Sequence, residues 1–189
     1  RSAERAFATS GKDVVVTSDR NVALEAEGLV VPGVGAFAAC MNGLNAVDGA
    51  AIVRERLAKE RPTLAICIGM QILFSQGMEH SENAAHAGVG IWDGVISKLD
   101  APILPHMGWN TVEFQKESNL RNEIRQNPRY YFVHSYFVEC NKQEDVLCST
   151  DYGKEFVSGF EHENIFGLQF HPEKSHKFGM ELLANFCKI

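Results

Sequence analysis

The sequence predicts an α/β fold that is parallel in its first half and more antiparallel in its second. Three observations carry this. Up to residue 74, short apolar runs alternate with helical patterns, the texture of parallel strands joined by right-handed crossovers. From residue 94 onward, short strands follow one another with few helices between them. Between the halves, the apolar run Leu64-Ala65-Ile66 stops at Cys67, and Met70, Leu73 and Phe74 then recur at i, i+3, i+4. Strand, sharp turn and helix in that order form a nucleophile elbow, in which the turn lifts one side chain above the sheet.

In chain order, Arg1 to Ser10 reads as a helix with Ala3, Ala6 and Phe7 on one face and Gly11 as its stop. Asp13 to Thr17 reads as a buried strand, and Gly28 to Val31 as a second that ends at Pro32-Gly33-Val34-Gly35. Ala36 to Ala46 and Gly49 to Lys59 read as helices, and Leu64 to Ile66 as the third strand before the elbow helix. The later strands are expected at Gly94–Leu99, Trp109–Phe114, Tyr130–Val133, Tyr136–Glu139, Val146–Thr150, Phe156–Phe160 and Ile165–Leu168. Ser175 to Lys188 closes the chain as an amphipathic helix with Phe178, Leu182, Leu183 and Phe186 inward. No linker separates the halves, so residues 1–189 are expected to form a single domain.

Composition excludes several classes. A net charge of −6 leaves no basic footprint for nucleic acid. No apolar run approaches the roughly 20 residues of a membrane-spanning helix. The five cysteines, Cys40, Cys67, Cys140, Cys148 and Cys187, are odd in number and contain no Cys-x-x-Cys pair. That argues against a disulfide framework or a zinc site and fits a reducing, cytoplasmic location. No metal or cofactor is expected. Of the histidines, His80, His86, His162 and His176 read as solvated.

Taken alone, Cys67 reads as a small buried hydrophobe. Gly167-Leu168-Gln169-Phe170-His171-Pro172-Glu173 changes that balance. A cysteine nucleophile needs a base, and the base needs a third group to hold its tautomer. His171 and Glu173 supply both, and at i, i+2 on an extended chain they would point the same way. Pro32-Gly33-Val34-Gly35, between a strand and a helix, could present N–H groups to an oxyanion. The donor would be Val34, or Gly35 after a peptide flip, paired with Ile68. It could equally be a tight turn. Pro105-His106-Met107-Gly108-Trp109-Asn110 has the composition of a docking surface, or of a strand start with a buried tryptophan. In Tyr130 to Tyr136, the side chains of Tyr131 and Val133 read as core, while His134 and Ser135 at the break could offer backbone groups to a ligand.

Together these segments resemble the class I (triad) glutamine amidotransferases, and within them the glutaminase subunits of imidazole glycerol phosphate synthase. Cys-Ile-Gly-Met-Gln and His-Pro-Glu carry the wider resemblance. Pro-His-Met-Gly-Trp-Asn, Tyr-Phe-Val-His-Ser-Tyr and Gly-Leu-Gln-Phe-His-Pro-Glu-Lys-Ser carry the narrower one. The resemblance runs from Arg1 to Ile189 and implies a flavodoxin-like three-layer fold with a mixed central sheet. It also implies that Cys67 attacks the glutamine side-chain amide, that His171 acts as base and then acid, and that Glu173 orients His171. Gly35, Gln71, Glu79, His134, Ser135 and Tyr136 match glutamine-holding positions. Pro105, His106, Met107, Gly108, Trp109, Asn110 and Lys174 match positions facing a (β/α)8 barrel cyclase. That partner would take the ammonia to make imidazole glycerol phosphate and AICAR in histidine biosynthesis. The same chemistry could serve an anthranilate, GMP or pyridoxal phosphate synthase, or the fold could act as a non-catalytic binding subunit. Two departures stand out. Ala65 occupies a position where the family usually has glycine. The family also opens with a strand and a glycine-containing loop ahead of the helix matching Arg1 to Ser10. Without that strand the central sheet is expected to be weakened.

Overall fold

The computed structural model describes residues 2–79, 85–140 and 142–189. The elements are α1 (Ser2–Thr9), α2 (Arg20–Glu25), β1 (Leu29–Gly33), α3 (Phe37–Ala46), α4 (Gly49–Ala58), β2 (Thr63–Cys67), a one-turn α5 (Ile68–Gln71), β3 (Phe74–Gly77), β4 (His86–Ala87), β5 (Trp92–Lys98), β6 (His106–Thr111), β7 (Glu113–Phe114), β8 (Arg129–His134), β9 (Tyr136–Cys140), β10 (Val146–Asp151), β11 (Glu155–His162), β12 (Ile165–Leu168) and α6 (His176–Phe186). The central six-stranded sheet runs β1-β2-β12-β11-β10-β7. β1, β2 and β12 are parallel, and β11, β10 and β7 continue the sheet antiparallel. Two smaller sheets, β4-β3-β5-β9 and β6-β8, complete the second half. The central sheet is therefore mixed, as the sequence predicts.

Every residue of β2 and β12 is buried, which is why both read as continuous apolar runs without alternation. One cover over the sheet comes from α6, where Leu182, Leu183 and Phe186 are buried and Phe186 meets Phe7 of α1 and Phe166 of β12 edge-on. Phe74, Trp92 and Phe160 form a second aromatic cluster, with ring centroids 4.8 to 5.9 Å apart. Arg56 of α4 is fully buried, and its guanidinium donates to the carbonyls of Ala23, Leu24, Ala26, Glu27 and Pro62. The first four of those carbonyls lie at and beyond the end of α2, where an ending helix has no intrahelical donors to offer, and the Pro62 carbonyl lies just before β2.

Three expectations are corrected and one element was missed. Asp13–Thr17 is not a strand: Val15 and Val16 are 69% and 79% exposed, and β1 lies at the end of its sheet. An extended segment becomes a strand only beside a neighbour that completes its hydrogen bonds, and among the described residues none pairs with it. The elbow helix is one turn, not the longer helix that Leu73 and Phe74 suggest, because Phe74 already belongs to β3, which pairs with β5. In β8 the inward residues are Tyr130, Phe132 and His134, whereas Tyr131 and Val133 are half-buried on the other face. The helix α2 goes unpredicted, although Asp19 accepts from the N–H groups of Asn21 and Val22 as an N-cap should.

Candidate active site

The site forms at the carboxyl ends of β1, β2 and β12. Cys67 ends β2 with φ 56° and ψ −119°, a backbone conformation that costs about 1–3 kcal/mol in a residue with a Cβ. The turn persists because α5 lies directly on the backbone of β1. A Cβ on Gly69 would stand 1.9 Å from the Val31 carbonyl oxygen, and one on Gly33 would stand 2.2 Å from the Gly69 nitrogen. These two glycines let backbone pack on backbone and leave Cys67 nowhere to go but into the turn. Ile68 opens α5, so its N–H lies in the first turn, where helices have no internal acceptor.

β12 runs beside β2 with Leu168 opposite Ile66, so the chain leaving β12 passes the elbow. It carries His171, whose N–H donates to the Tyr131 carbonyl at 2.9 Å. The pairing of His171 with Glu173 does not arise from an extended chain: Pro172–Lys174 is a 3-10 turn, and this turn brings His171 Nδ1 to 2.8 Å from Glu173 Oε1. Both side chains are more than nine-tenths buried. His171 Nε2 is buried without a hydrogen-bond partner. Burial would lower the His171 pKa, but the Cys67 sulfur and the Glu173 carboxylate together outweigh it and raise it to about 9. The sulfur is thus near enough to act on the imidazole, though it stands outside hydrogen-bond geometry.

A residue without a predicted role completes the surroundings of the sulfur. Gln169 is fully buried, and its Nε2 lies 3.8 Å from Cys67 Sγ. Its Oε1 accepts from Gln71 Nε2 at 2.8 Å, and the same Gln71 nitrogen donates to the Tyr136 carbonyl at 3.0 Å. The available signal was an amide side chain inside the apolar run Leu168-Gln169-Phe170, since buried polar groups are held by partners.

Beside the site lies a cavity of about 590 Å³ lined by Val34, Gly35, Cys67, Ile68, Gln71, Glu79, Pro105, His134, Ser135, Tyr136, His171 and Lys174. All of these were singled out from sequence. Lys98 and Leu104 line it too and were not, and so does Val133, which read as core. Gly35 takes φ +94°, a conformation that favours glycine, and Val34 is 74% exposed. Glu79 Oε2 accepts from the Phe37 N–H at 2.6 Å, at the start of α3. Met107 and Trp109 are exposed, which excludes the buried-tryptophan reading of that segment. His106 departs from its neighbours. It is 2% exposed and points inward, where it stacks on Phe132 and Tyr152 and approaches His134. Alternation along β6 explains this, because successive side chains face opposite ways. Of the histidines read as solvated, His162 pairs with Asp145 at 2.9 Å and His176 packs on Trp109. His80 lies outside the described residues.

Burial pushes His106 down to about 4 and His134 down to about 3 from an ordinary 6.5. Each stays neutral when folded but takes up a proton when unfolded, so its contribution is present above pH 6.5 and is lost as the pH falls. His171 has the opposite sign, with a contribution complete below 6.5 and lost as the pH rises through about 9. His106→Phe keeps the ring stack and removes one depressed imidazole. From about pH 7.5 to about pH 5.5, urea titrations should show the unsubstituted protein losing about 1.3 kcal/mol more than this variant. Parallel pH dependences would contradict the assignment.

An elbow thiol beside a carboxylate-held imidazole, on a mixed sheet with helices packed against it, has the parts that acyl transfer through a thiol requires. The chain belongs to the glutamine amidotransferase class-I family, whose family model matches residues 5–189, and it is a glutamine amidotransferase. It is 49% identical to the imidazole glycerol phosphate synthase subunit HisH of Streptomyces coelicolor over 197 residues, covering 100% of this chain and 87% of that protein. The HisH subunit of Thermobifida fusca is 46% identical, covering 98% and 91%. Among solved structures, a glutamine amidotransferase superposes with a TM-score of 0.71 at 15% identity, covering 97% of this chain and 93% of that one. The glutaminase domain of Trypanosoma brucei CTPS, solved with bound acivicin, gives 0.67 at 18%, covering 99% and 87%. At these identities the two structures speak for the fold alone.

Proposed function

We propose that this chain is the glutaminase subunit of an imidazole glycerol phosphate synthase, with residues 1–189 acting as one glutamine amidotransferase domain. The observation that carries the chemistry is the hydrogen bond from His171 to Glu173 behind a strained Cys67. The near half-identity to HisH subunits carries the choice of partner.

Cys67 Sγ attacks the side-chain amide carbon of glutamine, and His171 takes the thiol proton. The imidazole, raised by its neighbours, holds that proton until it passes to the departing ammonia. Glu173 keeps Nδ1 protonated, so that Nε2 faces the reaction. The N–H of Ile68, with that of Val34 or Gly35, stabilises the tetrahedral oxyanion. Water then hydrolyses the glutamyl thioester to glutamate and restores the thiol. Gly35, Gln71, Glu79 and the backbone at His134, Ser135 and Tyr136 hold the substrate. Pro105, Met107, Gly108, Trp109, Asn110 and Lys174 face a (β/α)8 barrel cyclase that receives the ammonia, and His106 supports that face from beneath. Among the described residues no helix is long and apolar enough to cross a membrane.

Glutamate release from glutamine tests this, measured with the chain alone, with the cyclase barrel, and with the barrel and its nucleotide ligand. Little release alone and a large rise with the liganded barrel is expected. A rise with a different synthase and none with the barrel would sink the subunit assignment.

A further inference from the structure

A line of hydrogen bonds joins the surface to the candidate nucleophile, and its donor directions follow from the groups themselves. At the inner end, Gln71 Nε2 faces two oxygens, the Tyr136 carbonyl and Gln169 Oε1. Turning the Gln71 amide over would set oxygen against both, so its orientation is determined. Gln169 Oε1 is then an acceptor, and its Nε2 is left to donate to Cys67 Sγ at 3.8 Å. On the other side, His134 Nδ1 lies 2.8 Å from the same Tyr136 carbonyl, which can only accept, so the proton sits on Nδ1. His134 Nε2 is therefore a lone pair, and His106 Nδ1, 3.0 Å away, is the donor to it. His106 Nε2 in turn accepts from Asn110 Nδ2 at 3.3 Å. Asn110 is oriented independently, since its Oδ1 accepts from the Thr111 N–H and its Nδ2 also donates to the Asp151 carbonyl. Burial keeps both imidazoles neutral, which this pattern requires. Gln71 and Gln169 are fully buried, and His106 and His134 are 2% and 5% exposed. In such surroundings a broken link leaves a donor or acceptor without water to replace the lost partner.

We propose that this line, which runs from Asn110 through His106 and His134 to the Tyr136 carbonyl and, from the donor on the carbonyl's other side, through Gln71 and Gln169, positions the sulfur of Cys67, so that His106 and His134 are positioning residues for the thiol chemistry. It makes the segment Pro105–Asn110 more than a docking face: its inward histidine is tied to the nucleophile through the side chains of His134, Gln71 and Gln169 and the backbone carbonyl of Tyr136. Its role in turnover rests on the reading of Cys67 as the glutaminase nucleophile, so the test follows the sulfur itself.

The probe is iodoacetamide at neutral pH, with alkylation of the Cys67 peptide followed by mass spectrometry in the full chain. Gln169→Leu removes the last donor and should slow Cys67 alkylation about tenfold. His106→Phe keeps the stacks on Phe132 and Tyr152 but has no ring nitrogen, and should slow it in the same direction. His106→Asn, whose amide nitrogen can replace Nδ1, should recover most of the loss, which a packing defect would not allow. The double variant Gln169→Leu/His106→Phe should be no slower than Gln169→Leu alone, because both cuts interrupt one line. Multiplied effects in the double variant, or an unchanged rate in His106→Phe, would overturn the proposal. If His106→Phe does not fold, Asn110→Ala at the half-buried outer end takes its place. Slower Cys67 alkylation is then required, and an unchanged rate refutes the line. A chain that shows the alkylation coupling but releases no glutamate with the liganded barrel would sink the proposed function and leave this inference standing.

Discussion

Cys67→Ala should lower glutamine hydrolysis by about three orders of magnitude or more in the complex with the cyclase barrel, while binding to the barrel is unchanged. The rate loss is large because the sulfur forms the bond that splits one difficult step into two, and no neighbouring side chain can replace it. The structural loss is small. Cys67 is 3% exposed at the end of a strand, its backbone turn is held by glycine packing rather than by its own side chain, and alanine meets the same φ of 56° as cysteine does. Glutamate release assays and co-purification with the barrel measure the two halves separately. Turnover close to that of the unsubstituted chain would remove Cys67 from the mechanism. Lost binding with an intact fold would give the residue a part in the interface.

Gly69→Ala should be among the most destabilising single substitutions in the chain, at about 3 kcal/mol or more, and should also misplace Cys67. The added methyl would stand 1.9 Å from the Val31 oxygen, 2.9 Å from the Val31 carbonyl carbon and 3.1 Å from the Gly33 nitrogen. All three are backbone atoms, so no rotamer change relieves the contact. α5 must instead lift off β1, and the strained turn at Cys67 loses the packing that sustains it. Gly43→Ala is the matched control. Gly43 lies within α3 with nothing near its added methyl, and the same substitution should stabilise by about 0.5–1 kcal/mol through helix propensity. Urea titrations of the two variants should move in opposite directions. A Gly69→Ala midpoint equal to that of the unsubstituted protein would refute the account of the elbow.

Much of the candidate site is legible in the sequence. Cys67, Val34, Gly35, Gln71 and His171 lie in short segments whose chemistry and punctuation are local, and the cavity gathers them. What was not legible depends on neighbours. Asp13–Thr17 has the composition of a buried strand but no partner among the described residues. Phe74 satisfies a helical spacing and is taken by β3, because pairing with β5 offers more than a second helical turn. Gln169 looks like an interruption in an apolar run until Gln71 and the Cys67 sulfur are placed beside it.

The sequence by itself determined the strand that ends at Cys67 and the turn after it, the parallel-then-antiparallel order, the thiol, imidazole and carboxylate of the candidate site, and membership of an amidotransferase family. Each of these follows from spacing along the chain or from motifs contiguous within it. Tertiary structure alone decided that a 3-10 turn, not an extended chain, joins His171 to Glu173, that His106 turns inward while Met107 and Trp109 face out, and that the Gln71–Gln169 pair reaches the sulfur. The physical reason is that which way a side chain points, and which of its hydrogen bonds are met, is settled by groups distant in sequence.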